Sequence, residues 1–225
     1  TFFLNMVGIN EIGATARSVA TQGVGNVEIS LVLDISGSMR NATKDADGNP
    51  TGLTKMEAMK AAATTFVNTA LQDSNQDRVS LSLVPYSEHV NIGRTLFDRM
   101  NTDHKHNFSH CVDFDDADFG TTGLETGRVY SQGQHIDHWS TGSSMNNTNC
   151  PSRSHEEVTA MSQDRAALVA QIAKFQPTTQ TSIFLGMKWG LALLDPSTRA
   201  LVSPDADAVF SDRPVSFTTE TETND

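Results

Sequence analysis

Asp34, Ser36 and Ser38 stand at alternate positions in the run Asp34-Ile35-Ser36-Gly37-Ser38. One carboxylate and two hydroxyls are hard oxygen ligands, and magnesium takes such oxygens in octahedral geometry while keeping several waters. A turning loop that aims these three side chains at one point therefore suits a divalent ion with positions left open. Gly37 is expected to let the loop turn tightly.

The flanking residues predict the scaffold. Val27, Ile29, Leu31 and Leu33 alternate with Glu28, Ser30 and Val32, and the run turns wholly apolar before Asp34, which predicts a buried strand over 27–33. The loop then sits at the carboxyl end of a strand, where open α/β sheets bind ligands. A weaker alternation from Ile12 to Val19 predicts a neighbouring strand, with Gly23 and Gly25 supplying the turn. Thr54 with Glu57 three residues later is a capping box, followed at helical spacing by Met56, Met59, Ala63, Phe66, Val67 and Ala70, so a helix is expected over 55–72. Val79, Leu81 and Leu83 predict a second strand running into Pro85. Ser162 is expected to cap a helix carrying Leu168, Ile172 and Phe175. A last helix from Ser182 to Leu194 is expected to end at Asp195-Pro196, with Gly186 and Gly190 allowing close packing. Alternating strands and helices predict an α/β fold. Between about 100 and 155 no apolar period survives, and Asn, Asp, Gly, Ser, Thr and His dominate, so this stretch reads as a loop-rich insertion rather than a core segment.

The 225 residues suit one domain with an insertion. A mean hydropathy of -0.33 is on the polar side, as a long polar insertion would make it. A net charge of -11 and a pI near 4.9 repel phosphate backbones and anionic membranes, which argues against nucleic acid as a partner. No apolar run approaches the roughly 20 residues that span a bilayer, and Phe2-Phe3-Leu4 lacks the basic flank of a signal peptide. The start at Thr1 and the polar run from Glu220 to Asp225 read as the ends of a fragment of a longer protein.

Asp34-Ile35-Ser36-Gly37-Ser38-Met39 resembles the DxSGS metal-ion-dependent adhesion site of von Willebrand factor type A (VWA) domains. The resemblance implies a Rossmann-like fold, a central, mostly parallel sheet flanked by helices, over residues 1–225 as a single domain cut at both ends. It also implies that a second-loop Thr joins the site, the matching position being Thr181 in Thr181-Ser182-Ile183. The expected metal set is thus Asp34, Ser36, Ser38 and Thr181, holding Mg2+ or alternatively Mn2+ or Ca2+. Leu83-Val84-Pro85-Tyr86-Ser87, Gly186-Met187-Lys188-Trp189-Gly190 and Leu193-Leu194-Asp195-Pro196 are similar to the VWA region of TadG-like proteins of bacterial tight-adherence pilus systems. In those proteins a Thr-Asp-Gly strand end after an Arg-Pro segment supplies a third-loop Asp. Arg213-Pro214 matches that segment, and no such motif follows before Asp225. The family implies a non-enzymatic adhesion module of the periplasmic envelope, anchored to the inner membrane, which meets an exposed Asp or Glu of a protein partner through the ion.

Other readings of the same residues stay open beside it. Aspartic proteases have no residue between the Asp and the hydroxyl, whereas Ile35 intervenes, and a serine-hydrolase elbow needs Gly-x-Ser-x-Gly, which neither Ser36 nor Ser38 meets. A hydrolase would need a general base near Ser36, and the sequence offers no candidate. A structural envelope module with a vestigial metal site is the third reading. In an extracytoplasmic protein Cys111 and Cys150 would staple the insertion, and two free thiols are the alternative. His104, His106, His110 and Cys111 are zinc-type ligands without organising spacing, read as solvated loop residues. Asp45 and Asp47 before Gly48 lack the EF-hand spacing and read as a polar turn.

Overall fold

The structure, a computed structural model, describes residues 26–75, 77–137, 145, 147–203 and 210–217. The strand expected over Ile12 to Val19 and its glycine turn lie outside the described residues. Strand β1 (Val27–Asp34) leads into the Asp34 loop, a hairpin of β2 (Ala42–Lys44) and β3 (Pro50–Thr54), and helix α1 (Lys55–Ala70). Thr54 caps α1 as its sequence predicts: Glu57 N donates to Thr54 Oγ1 at 3.2 Å and Thr54 N donates to Glu57 Oε2 at 2.7 Å. Strand β4 (Val79–Tyr86) follows, then α2 (Gly93–Arg99), β5 (Val112–Asp113), β6 (Ser131–Gln132) and β7 (Thr159–Ser162). Helices α3 (Arg165–Lys174), α4 (Ile183–Ala192) and α5 (Arg199–Val202) complete the described chain. Among the described residues no helix is long and apolar enough to cross a membrane.

A small mixed sheet flanked by helices forms the centre, in the order β1-β4-β7. Strand β1 runs parallel to β4 in unbroken register from Val27 opposite Val79 to Asp34 opposite Tyr86. The mostly parallel sheet expected from the sequence is not what these strands build, because β7 is antiparallel to β4. The cause is where the chain re-enters. Asn91 bridges both Cys111 and Glu157, so the intervening segment stays near the carboxyl end of β4, and β7 starts there, with Thr159 opposite Leu83, and runs back to Ser162 opposite Leu81. The expectation of a buried strand over 27–33 needs the same kind of correction. All eight residues of β4 are buried, whereas β1, paired only with β4 among the described residues, is mostly half-buried.

Alternation along the strands divides the core between two faces. Leu33, Leu81 and Leu83 pack with Ala63 and Val67 of α1 and with Leu168 and Ile172 of α3. Val84 and Tyr86 point the other way, toward Trp189 and Leu193, with Val32 packed against them. Helix α4 approaches closely only because of its two glycines: a Cβ on Gly186 would sit 2.7 Å from the Tyr86 ring, and one on Gly190 would sit 2.5 Å from Val32 Cγ2. Ser162 does not cap α3. It closes β7, and Asp164 Oδ1 accepts from Ala167 N at 2.8 Å instead. A carboxylate is the stronger acceptor at the positive end of a helix. Beyond α4, Asp195 Oδ1 accepts from Ser197 N at 2.9 Å and starts a further 3-10 turn, Pro196–Thr198, that leads into α5.

The 100–155 segment holds two-residue strands and short turns, yet it is part of the core. Val112 and Tyr130 are buried in the same cluster as Trp189. Cys111 and Cys150, both fully buried, form a disulfide across 39 residues. Buried Gln132 substitutes for missing ladder bonds: its Nε2 donates to the carbonyls of His106 and Ser109, each at 2.9 Å, and its Oε1 accepts from Lys105 N and His106 N. Lys188, on the otherwise apolar α4, points its ammonium at the carbonyl oxygens of Asp118, Thr121 and Gly123 at 2.7, 2.9 and 2.7 Å.

Candidate functional site

The Asp34 loop hangs from two neighbours. On one side Ile35 N donates to Tyr86 O at 2.8 Å. On the other, Thr178 N donates to Ile35 O at 2.8 Å and Gly37 N to Thr179 O at 2.9 Å. Within the loop, Ser36 N donates to Asp34 Oδ1 at 2.7 Å, and the Ser36 and Ser38 hydroxyls lie 3.2 Å apart. Ser36 is buried, Asp34 half-buried and Ser38 exposed, so the three oxygens run from the core outward. The role of Gly37 differs from the expected tight turn. A Cβ there would sit 2.7 Å from Thr179 O, so the glycine is required by the close approach of the 175–182 segment.

Thr181 lies in the extended residues just before α4, exposed, and its neighbour Ser182 donates its N–H to Ser87 O at 2.7 Å. Since Ser87 follows the Tyr86 that pairs with Asp34, Thr181 is at the same end of the sheet as the loop. The bonds that join the 175–182 segment to the loop run through Thr178 and Thr179. Thr179 is a residue that sequence reasoning missed. Its φ of 44° lies in the left-handed region that β-branched residues avoid, and its buried Oγ1 has no hydrogen-bond partner among the described residues. Thr178, Thr179 and Thr181 look alike in sequence, so only the positive φ separates Thr179 from the others.

Gly37, Ser38, Arg40, Asn147, Thr179 and Gln180 line a cavity of about 420 Å3 beside the loop. Asp34, Ser36 and Ser38 bring a carboxylate and two hydroxyls onto one loop, and oxygen donors of this kind suit a hard divalent cation. Arg40, anchored through Nη2 to Pro177 O at 2.9 Å, adds a positive charge that opposes a cation and favours an arriving carboxylate. Burial raises the Tyr86 pKa, and the charge of Asp34 raises it further, so the phenol stays protonated beside the loop.

His104, His106, His110 and Cys111, read from the sequence as solvated loop residues, each have partners within the fold. His104 Nε2 meets His106 O at 2.9 Å, His106 Nε2 meets Gly133 O at 3.0 Å, and the Cys111 sulfur is taken up in the disulfide. His110 is not solvated: it is buried against Phe97. Among the described residues no three His, Cys, Asp or Glu side chains converge as a metal-binding group. Asp45 Oδ1 accepts from Asp47 N and Asn49 N at 3.0 and 2.9 Å, making the turn of the β2-β3 hairpin. Ser109 Oγ meets His135 Nδ1 at 2.8 Å, and that imidazole stacks on Phe108.

Burial lowers the pKa of His89, His110, His135 and His155. Asp113 and Glu88 oppose the shift at His89, Asp98 at His110 and Glu156 at His155. A folded pKa below the unfolded one means that the unfolded chain takes up protons first as pH falls through about 6.5. Stability is therefore expected to drop as pH falls from 7.5 to 5.5, read as a lower urea midpoint. Glu157, whose pKa burial raises, works in the opposite direction, one group against four. A midpoint unchanged over that range contradicts the lowered histidine pKa values.

Searches against protein-family models and against curated proteins found no match to this sequence.

Proposed function

We propose that the chain is a VWA-type binding module with a Rossmann-like fold, in which Asp34, Ser36, Ser38 and Thr181 hold a divalent ion at the carboxyl end of β1. Magnesium is the expected ion, with manganese or calcium as substitutes. When bound, the ion supplies an open coordination position for a carboxylate. The chain's own residues do the rest: Asp34 contributes charge, the serine hydroxyls orient the site, and Arg40 draws an Asp or Glu of a protein partner toward it. The module does not catalyse. Following the TadG-like resemblance, it serves envelope attachment or pilus assembly on the periplasmic side of an inner-membrane anchor. A buried disulfide supports an oxidising compartment.

The observation that supports this reading is that Asp34, Ser36 and Ser38 share one loop at the end of β1, with the serine hydroxyls 3.2 Å apart. Calorimetric titration of Mg2+ or Mn2+ tests it, using protein that includes the downstream segment expected to carry the third-loop Asp. Saturable binding is expected, weakened at least about a hundredfold in Asp34→Ala. Absence of saturable binding, or binding indifferent to Asp34→Ala, removes the proposal.

A further inference from the structure

A cleft of about 620 Å3, whose lining shares no residue with the cavity beside the Asp34 loop, opens between the 3-10 turn Asp116–Gly120 and the first turn of α4. Three of its walls are aromatic. Phe119 stands nearly perpendicular to Phe114 on one side and to Phe184 on the other, at 74° and 76°, with ring centroids 6.1 and 6.2 Å apart. Rings set at right angles in succession make the corners of a box. Phe184 is 75% exposed and Phe119 41%, so the chain leaves much of that aromatic surface uncovered. Large exposed aromatic surface of this kind marks binding sites.

The same cleft carries two carboxylates, Asp113 and Asp116. The Asp116 carboxylate has no hydrogen bond or ion pair among the described residues. Asp113 meets only the His89 imidazole, at 3.5 Å, and burial keeps that ring largely uncharged at neutral pH. The Lys188 ammonium, directed at three carbonyls and 5.7 Å from the centroid of the Phe114 ring, is not among the residues that line the cleft. An aromatic box with two unneutralised carboxylates at its mouth selects a cation that is both charged and able to stack. Guanidinium meets both demands, since it is planar, always charged and more weakly hydrated than an ammonium. The chain's net charge of -11 favours the same sign of partner.

We propose that this cleft receives an arginine side chain of a protein partner, stacked among Phe114, Phe119 and Phe184 and paired with Asp113 and Asp116. The site goes beyond the metal loop and does not depend on it.

N-acetylarginine amide is the probe, titrated into the protein while backbone amide shifts are followed by NMR. N-acetylcitrulline amide, of nearly the same shape but uncharged, is the control. Arginine amide is expected to give saturable shifts centred on Asp116, Phe119 and Phe184, with citrulline amide binding about fivefold more weakly or worse. Phe184→Ala and Asp116→Asn, both at exposed positions, are each expected to weaken arginine amide severalfold while amide spectra elsewhere stay unchanged. Equal binding of citrulline would mark an apolar groove without charge selection and overturn the proposal. Shifts scattered over the acidic surface and untouched by Phe184→Ala overturn it as well, as does the absence of saturable shifts up to tens of millimolar.

Discussion

Opening the Cys111–Cys150 disulfide is expected to cost about 4 kcal/mol of folding stability, because the bond closes a 39-residue loop. In the chain-entropy account the bond acts mainly by restricting the unfolded chain, and the loop length sets the size of the effect. For a domain of this size the loss corresponds to a melting temperature lower by roughly 8–16 °C. Both cysteines are fully buried and Cys111 O also accepts from Gly133 N at 2.9 Å, so the bond pins the 100–155 segment where that segment enters the core. Thermal unfolding of the oxidised protein, the reduced protein and a Cys111→Ala/Cys150→Ala variant measures the effect. Alanine avoids burying a new hydroxyl. Melting temperatures within about 2 °C of each other would show that the core contacts of Val112 and Tyr130 hold the segment without the bond.

Lys188→Met is expected to lower the unfolding free energy by about 3 kcal/mol, the second-largest effect. Methionine matches the length and the apolar part of the lysine stem, so the comparison isolates the ammonium. That group directs three N–H bonds at three converging carbonyls of the 118–123 stretch and is itself nearly inaccessible to solvent. Removing it leaves those acceptors without partners where water reaches them poorly, partly offset because a charge no longer has to be buried. Lys188→Arg should not restore stability, since a planar guanidinium cannot aim three bonds at one converging set. Urea unfolding gives the free energy, and limited proteolysis between Asp118 and Gly123 reports the local loosening. A Lys188→Met variant as stable as the parent would show that desolvation cancels the three bonds.

Of these two effects the first falls on a pairing that the cysteine positions suggest, whereas the second falls on contacts that the sequence conceals. A lysine within an apolar helix reads as a solvated position, and its three acceptors come from a stretch about 70 residues away in the chain. Val112, Phe114 and Tyr130 sit in apolar stretches too brief, within a polar surrounding, for a period to announce that they enter the core. The regular elements were far easier to read: β1 and β4 by alternation, α1 by its capping box, and the close approach of α4 by Gly186 and Gly190. Strand β7 escaped notice because it has four residues, a shifted ladder and Met161 at a φ of 47°. The cap of α3 was misassigned because Ser162 and Asp164 are both good cap residues, and only the end of the β7 ladder decides between them. At the candidate site, spacing alone singled out Asp34, Ser36 and Ser38. The involvement of Thr179 depends on a long-range carbonyl contact with Gly37 that local pattern does not encode.

The shape of the Asp34 loop depends on distant parts of the chain. Its backbone is held by Tyr86 on one flank and by Thr178 and Thr179 on the other, segments about 50 and 140 residues further along the chain. A synthetic peptide spanning Leu33 to Arg40 would lack both supports and sample many shapes, so antibodies raised against it should recognise the denatured chain better than the native one. Conversely, an antibody specific for the native loop would report at a single epitope that β1, β4 and the segment before α4 have all come together.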